Sequence, residues 1–263
     1  MIVYISYDEP GRSAWRVALG ILAILIALGI IVAVVGAVLW WVNNNQGGAV
    51  SAPAPASVAP PADAVSLQQA VTSLHEPDTN TIFLVDASQS IELGGDLDVV
   101  RQSLVDVVLP YVDPSAGVAA QNSRAALITF TQSTNAVVPL GVLTDSDNQR
   151  AWLANAGTLA TVDEGAFIYD AVKEAHNMLA MVNDDTRSNV IVLLTDGADG
   201  GIEVPSGNTV HSETSRDALV AMLATSPVHD LTVHTIGFGA EADHVSLKIL
   251  AQATSGKYTY ASR

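Results

Sequence analysis

The chain contains no cysteine. That absence excludes a disulfide scaffold, a Cys-ligated zinc site, an iron–sulfur cluster and a thiol nucleophile. It leaves the compartment open, because a large core does not need disulfides. Basic residues are scarce: 11 Lys and Arg stand against 27 Asp and Glu, a formal net charge of −16 over 263 residues. No Lys/Arg cluster occurs anywhere, so the basic face that a nucleic-acid binder requires is missing. Charged residues make up only 14% and apolar residues 49%. Such a chain is too apolar to be disordered, and too apolar for an ordinary soluble domain unless one segment lies in a membrane. Signatures of common enzymes are missing too. There is no G-x-S-x-G elbow and no G-x-x-x-x-G-K-[ST] loop. Six histidines (75, 176, 211, 229, 234, 244) show no H-E-x-x-H or paired spacing.

The apolar excess is concentrated near the start. Residues 17–42 (VALGILAILIALGIIVAVVGAVLWWV) run for 26 residues without a charge. As a helix this segment is ~39 Å long, enough to cross a ~30 Å hydrocarbon core with some tilt. Trp15 stands at one edge and Trp40 and Trp41 at the other, as an interfacial aromatic belt requires. The run is longer than the apolar region of a cleaved signal peptide and no A-x-A site follows closely, so an uncleaved signal anchor is expected. Arg12 and Arg16 precede the span, and no base follows it until Arg101. The positive-inside rule then puts residues 1–16 in the cytoplasm and everything after residue 42 outside it. The expected location is a cell membrane, crossed once.

Residues 43–64 (NNNQGGAVSAPAPASVAPPADA) are rich in Ala, Pro, Ser and Gly, with prolines at 53, 55, 60 and 61. They read as a semi-rigid linker of polyproline type. Residues 65–77 begin with Leu67, Ala70, Val71 and Leu74 at helical spacing, a short lead-in helix.

From residue 78 strands and helices alternate. TIFLVD (81–86) and NVIVLLTDG (189–197) are apolar runs ending at Asp, the pattern of buried parallel strands. RAALITF (124–130) and NAVVPL (135–140) suggest a hairpin. Leu97, Val100, Leu104, Val107 and Val108 give one helix face, and Ile168, Ala171, Val172, Ala175, Leu179 and Val182 the clearest stripe. Helices around 213–224 and 243–253 flank a strand at 231–239, and KYTYAS (257–262) is the last strand. The expected fold is α/β: a doubly wound, mostly parallel sheet with helices on both faces, preceded by one transmembrane helix. Its ligands belong beyond the carboxyl ends of the strands.

At those ends stand Asp86-Ala-Ser88-Gln-Ser90 and Thr195-Asp196-Gly197. Asp86, Ser88 and Ser90 are spaced by two, so an extended or turning backbone can aim all three one way. Two carboxylates and two neutral hydroxyls suit a hard cation such as Mg²⁺, which keeps some waters and open positions. The other reading of the same serines is capping of a helix N-terminus. A phosphatase of the haloacid-dehalogenase type would need a second carboxylate at position 88, where serine stands. His234 inside an apolar strand reads as a hydrogen-bonded core residue, and His211 beside Glu213 as solvated.

These residues resemble the von Willebrand factor A domain family with its metal-ion-dependent adhesion site. The likeness covers residues 78–263 and rests on IFLVDASQS, IYDAV (168–172), VIVLLTDGAD, and VHTIGFG followed by LKILAQATSGKYTYA. It implies that Asp86, Ser88 and Ser90 form the first metal loop and Asp196 the third. The family's second loop gives a threonine from a Gly-Gly-Thr stretch, and here that stretch reads Glu164-Gly165-Ala166. Ala166 has no oxygen to offer. Thr161 is the alternative donor if the loop is rearranged, and Asp163 or Glu164 would serve only by adding charge. The family also continues from its last strand into a closing helix; the sequence ends at Arg263.

The resemblance implies a domain for protein binding and adhesion, which the expected anchor would hold outside the cytoplasm. Mg²⁺ (or Mn²⁺ or Ca²⁺) would be its cofactor, held more weakly for want of a threonine at 166. A protein ligand would complete the coordination with an acidic side chain. No catalysis and no nucleic acid are expected. The alternative is a metal-independent scaffold for assembly of a cell-envelope complex.

Overall fold

The computed structural model describes residues 64–74, 78–112, 123–162, 165–182, 184–200, 202–203, 209–239 and 241–262. The expected cytoplasmic terminus, transmembrane segment and residues 43–63 of the linker lie outside the described residues, as do Asp163 and Glu164. Among the described residues no helix is long and apolar enough to cross a membrane.

Nine strands and seven helices follow one another among these residues. The chain enters through β1 (Val65–Ser66) and α1 (Leu67–Ser73), then β2 (Thr79–Asp86), α2 (Gln89–Leu93) and α3 (Leu97–Val112). The hairpin β3 (Arg124–Phe130) and β4 (Thr134–Val142) precedes α4 (Ser146–Gly157), α5 (Ile168–Val182) and β5 (Ser188–Thr195). A two-stranded ribbon, β6 (Ile202–Glu203) and β7 (Thr209–Val210), leads to α6 (Arg216–Ala224), β8 (Leu231–Phe238), α7 (His244–Gln252) and β9 (Tyr258–Ser262). The main sheet has the order β1-β9-β8-β5-β2-β3-β4. Only β4 runs antiparallel, to β3.

Alternation along β2 explains why the sheet is covered on both sides. Phe83 and Val85 face one apolar cluster, built from α1, α3 and α4 with Val100, Leu104 and Trp152 at its centre. Ile82 and Leu84 face the other, built on Val172 and Leu179 of α5, Leu219 of α6 and Leu250 of α7. Every residue of β2 is buried, as a strand packed on both faces requires.

Three details depart from the sequence reading. The helix α4 was not expected. Few of its residues are buried, so it shows no apolar stripe, and it is anchored by Trp152. The Trp152 indole N–H donates to the Leu104 carbonyl at 2.7 Å, and its ring meets Phe83 edge-on at 5.5 Å. Val182, at the last position of α5, is exposed rather than part of the core. His234 is hydrogen-bonded, accepting at Nδ1 from the Lys257 N–H, but is only half-buried.

The topology places the site. From β2 the chain passes first to β3 on one side, and later to β5 on the other. The crevice where the winding reverses therefore opens between the carboxyl ends of β2 and β5. Asp86 and Thr195 are the last residues of those two strands.

Candidate functional site: a cluster of carboxylates and hydroxyls

The structure brings Asp86, Ser88, Ser90 and Asp196 together. The Asp86 side chain is fully buried. Its Oδ1 accepts from the Ser88 N–H at 2.9 Å, and its Oδ2 from the Thr195 hydroxyl at 2.6 Å. The Ser90 hydroxyl donates to Asp196 Oδ1 at 2.8 Å. Ser90 has then spent its proton, so the 2.9 Å contact with Ser88 is a bond donated by the Ser88 hydroxyl. One line of oxygens runs from Ser88 through Ser90 to Asp196.

This geometry decides between the two readings of the serines. Ser88 does occupy the N-cap position of α2, in extended conformation. Its hydroxyl makes no capping bond and turns to Ser90 instead. The serines therefore serve the cluster, not the helix end.

The electrostatics are uncompensated. Burial pushes the Asp86 carboxyl above its ordinary range, against hydrogen bonds from Ser88 and Thr195 that pull it down. Asp196 is pushed up to about 6, first by burial and then by the charges of Asp86 and Asp96. Among the described residues no Lys, Arg or His forms an ion pair with either carboxylate.

Asp96 escaped the sequence reading. It is 2% exposed. A tight turn brings it back toward the cluster: Gly95 adopts φ 78°, and the Asp96 N–H donates to the Ile91 carbonyl at 3.0 Å. In the sequence it looks like an ordinary acidic residue ahead of a helix. The pair Gly94-Gly95 before it was the available signal. Thr195 was read only as part of Thr-Asp-Gly; its hydroxyl in fact orients Asp86.

The second loop is arranged differently from the third-loop and first-loop residues. Thr161 donates its hydroxyl to Glu92 on α2 and not to the cluster. Nearby, the Val162 N–H bonds to the Ala87 carbonyl at 3.1 Å. Ala166 is 3% exposed and packs with the α5 cluster. Its backbone is fixed to Gly200 by two hydrogen bonds of 3.1 and 2.7 Å. Gly200 has φ 93°, and a Cβ there would lie 2.2 Å from the His211 ring, so only glycine serves. Asp199 accepts from the N–H groups of Tyr169 and Ser212, and Asp170 from those of Glu213 and Thr214. These bonds tie the start of α5 to the segment leaving the β6–β7 ribbon.

The donor set suits a hard cation. It offers carboxylate and hydroxyl oxygens, no nitrogen or sulfur, and a charge that no described residue neutralises. Beside it, a cavity of about 280 Å³ runs from Ala87 and Phe130 to Asn155 and Leu159. No ionisable residue lines it.

Comparison with known proteins agrees with the fold. The sequence profile described as von Willebrand factor type A domain matches residues 80–263. No curated protein matches the chain in sequence. Among solved structures, a von Willebrand factor type A protein from Catenulispora acidiphila superposes with a TM-score of 0.54 at 17% identity, over 70% of this chain and 38% of that one. The pilus adhesin SpaC from Lactobacillus rhamnosus GG, in its open conformation, gives 0.51 at 16% identity, over 72% and 28%. Proximal thread matrix protein 1 from the mussel byssus, with a zinc-occupied MIDAS motif, gives 0.50 at 18%, over 71% and 42%. The chain thus spans well under half the length of these structures, and at such identities the likeness concerns the fold. With the profile covering most of its length, the chain belongs to the von Willebrand factor type A domain family.

Proposed function

We propose that this chain is a membrane-anchored recognition module that binds a protein partner through a divalent cation, and that it is not an enzyme. The observation that carries the reading is the buried pair Asp86 and Asp196, held by the Ser88 N–H and the Thr195 hydroxyl on one side and by the Ser90 hydroxyl on the other, with no basic partner among the described residues. A cation supplies the missing charge. Asp86, Ser88, Ser90 and Asp196 would hold it, with Mg²⁺ the best fit to an all-oxygen set and Mn²⁺ or Ca²⁺ as substitutes. An acidic side chain of the partner would then meet the positive centre, and the uncharged cavity beside Ala87 gives neighbouring partner residues a place to rest. The adhesin and the zinc-containing byssus protein support this reading by analogy of fold. The apolar run of residues 17–42 supports anchoring, and Arg12 and Arg16 ahead of it support a domain outside the cytoplasm.

A second reading has one observation in its favour. Ala166 brings no hydroxyl to the second loop, and Thr161 is engaged by Glu92. A domain that has given up its ion would act as a scaffold in an envelope complex through another face.

The test is thermal unfolding of the full chain in detergent, with chelator and with millimolar Mg²⁺ or Mn²⁺. A cation that binds only the folded state stabilises it by about 2.7 kcal/mol at a hundred times its Kd. A rise in melting temperature is expected. Superimposable curves would sink the cation reading and favour the scaffold. Protease added outside the membrane of intact cells should cut within 43–64; protection of that stretch would overturn the orientation.

A further inference from the structure

Thr161 sits on a stretch of backbone that is fixed on both sides of it. Ahead of it, the Leu159 carbonyl accepts from the Arg101 guanidinium of α3, from Nε at 2.8 Å and from Nη2 at 2.5 Å. Arg101 is itself steadied by Asp98 at 2.8 Å. After it, the Val162 N–H donates to the carbonyl of Ala87, the residue between Asp86 and Ser88, at 3.1 Å. The second loop is thus held against the first, and the Thr161 hydroxyl can be redirected by rotation about χ1 while both anchors stay in place.

That hydroxyl points to α2. It donates to Glu92 Oε2 at 2.5 Å. The helix α2 is only five residues long and is seated in the core by Ile91, which is fully buried. On either side of Ile91, Ser90 donates to Asp196 and Glu92 accepts from Thr161. One short helix therefore reaches the third loop with one side chain and the second loop with the next but one.

Two partners compete for the Thr161 hydroxyl. Toward a hard cation it would be one more neutral oxygen, little different from the water it replaces. Toward ionised Glu92 it makes a charge-assisted hydrogen bond, roughly twice as strong as a neutral one. Glu92 wins that competition, and the second loop, with Ala166 further along, is left with no hydroxyl aimed at the cluster.

We propose that Glu92 is a positioning residue that withholds Thr161 from the cation, so that breaking this one contact lets a second-loop hydroxyl complete the coordination. The inference rests on the cation reading of Asp86, Ser88, Ser90 and Asp196, and adds to it a control of affinity. Latched, the loop leaves one position of the ion to water. Released, it fills that position with Thr161. The sign of the effect separates this from plain electrostatics: deleting an acid beside a cation site ordinarily weakens binding, whereas deleting Glu92 strengthens it.

The test is calorimetric titration of Mg²⁺ into the full chain in detergent. Glu92→Ala should bind about threefold tighter than the parent, the gained hydroxyl outweighing the lost charge. Thr161→Ala should change the parent little and cost about fivefold in the Glu92→Ala background. Glu92→Gln loses the charge but keeps an acceptor, so its affinity should fall between those of the parent and Glu92→Ala. Water-proton relaxation counts the waters on bound Mn²⁺. It should find one fewer in Glu92→Ala than in the parent, and the parent's number again in Glu92→Ala/Thr161→Ala. A Glu92 that merely braced the loop would leave that number unchanged. Weaker binding by both Glu92 variants, or an equal cost of Thr161→Ala in the two backgrounds, would overturn the latch and leave the cation reading standing. Failure of the parent and every variant to bind Mg²⁺ or Mn²⁺ would overturn the cation reading itself, and the latch with it.

Discussion

The two ends of the parallel sheet treat the same side chain in opposite ways. At the amino end, just ahead of β5, Asp184 accepts from Thr186 and Arg187, with Arg124 at 3.7 Å. Those hydrogen bonds, from Thr186 first and Arg187 next, hold its carboxyl well below the ordinary range. At the carboxyl end, Asp86 and Asp196 are buried near a third acid, Asp96, and no described base answers them; both are pushed up. The amino end is a finished electrostatic structure. The carboxyl end holds negative charge that no described residue offsets, and it lies where an open α/β sheet puts its ligands. That contrast, more than the motif alone, separates a site from a surface cluster.

The largest expected effect comes from removing part of that charge. Asp196→Asn keeps the shape and the acceptor for Ser90 while deleting one charge. In chelator at pH 7 the variant should melt higher than the parent, because a buried repulsion is gone. Its Mg²⁺ affinity, measured by isothermal titration, should fall at least a hundredfold. A variant that still binds Mg²⁺ like the parent would place the cation elsewhere.

Acid should separate the two ends next. Asp196 titrates near 6 in the folded chain, above its ordinary value of 3.8. The folded state therefore holds a proton that the unfolded chain has released. Its contribution to stability is fully present below about pH 4 and is lost as pH rises through about 6. Asp184 runs the other way: its folded value is depressed, so its contribution is present above about pH 4 and lost on acidification. In chelator, raising the pH from 4.5 to 7 should lower the melting temperature by about 5 °C. Asp196→Asn should make that slope shallower, leaving the part that Asp86, also raised, carries, and saturating Mg²⁺ should reverse it. A slope undiminished in Asp196→Asn would mean that another group carries it.

The amino end gives a smaller effect. Arg187→Ala leaves Asp184 with Thr186 and the more distant Arg124. The loss should be about 2 °C in melting temperature, less at high salt, with Mg²⁺ affinity unchanged. Any change in Mg²⁺ affinity would show that the two ends are coupled through β5.

How much of this could be read beforehand depends on how local each signal is. β2 and β5 were legible because strands buried on both faces carry unbroken apolar runs, here 82–85 and 190–194. α5 was legible because one face of it is core. α4 was not, because it is held by Trp152 and by an Asp145 cap over the N–H groups of Asp147 and Asn148, with no stripe to announce it. β1 is two residues long and exists only through its register with β9. The same division runs through the site. Asp86, Ser88 and Ser90 form a local pattern, and Asp196 ends a recognisable strand. Asp96 and the orienting role of Thr195 depend on contacts across 100 or more positions, or on a turn set by one glycine, and no spacing rule shows them.

A last effect, of similar size, tests the one position where the resemblance implies an oxygen and this chain has none. Ala166 is buried, its backbone is pinned to Gly200, and its side chain packs with the α5 cluster. Threonine there adds a methyl and a hydroxyl at constant charge. Without a cation the hydroxyl is buried with no assured partner, so Ala166→Thr should melt lower than the parent in chelator, by about 1 kcal/mol. With Mg²⁺ the same hydroxyl becomes a preorganised ligand in place of a water, and a contact of that class is worth about 1 kcal/mol, near fivefold in affinity. The variant should therefore lose stability without the ion and gain affinity for it, two changes of opposite sign from one substitution. Thr161→Ala should leave affinity alone, because the structure commits that hydroxyl to Glu92. If Thr161→Ala abolishes binding while Ala166→Thr is silent, the second loop reaches the cation from position 161 and the family's register does not hold here. If Ala166→Thr only destabilises, with and without Mg²⁺, then residue 166 belongs wholly to the core, and the carboxyl end must complete its cation with water and the partner's carboxylate.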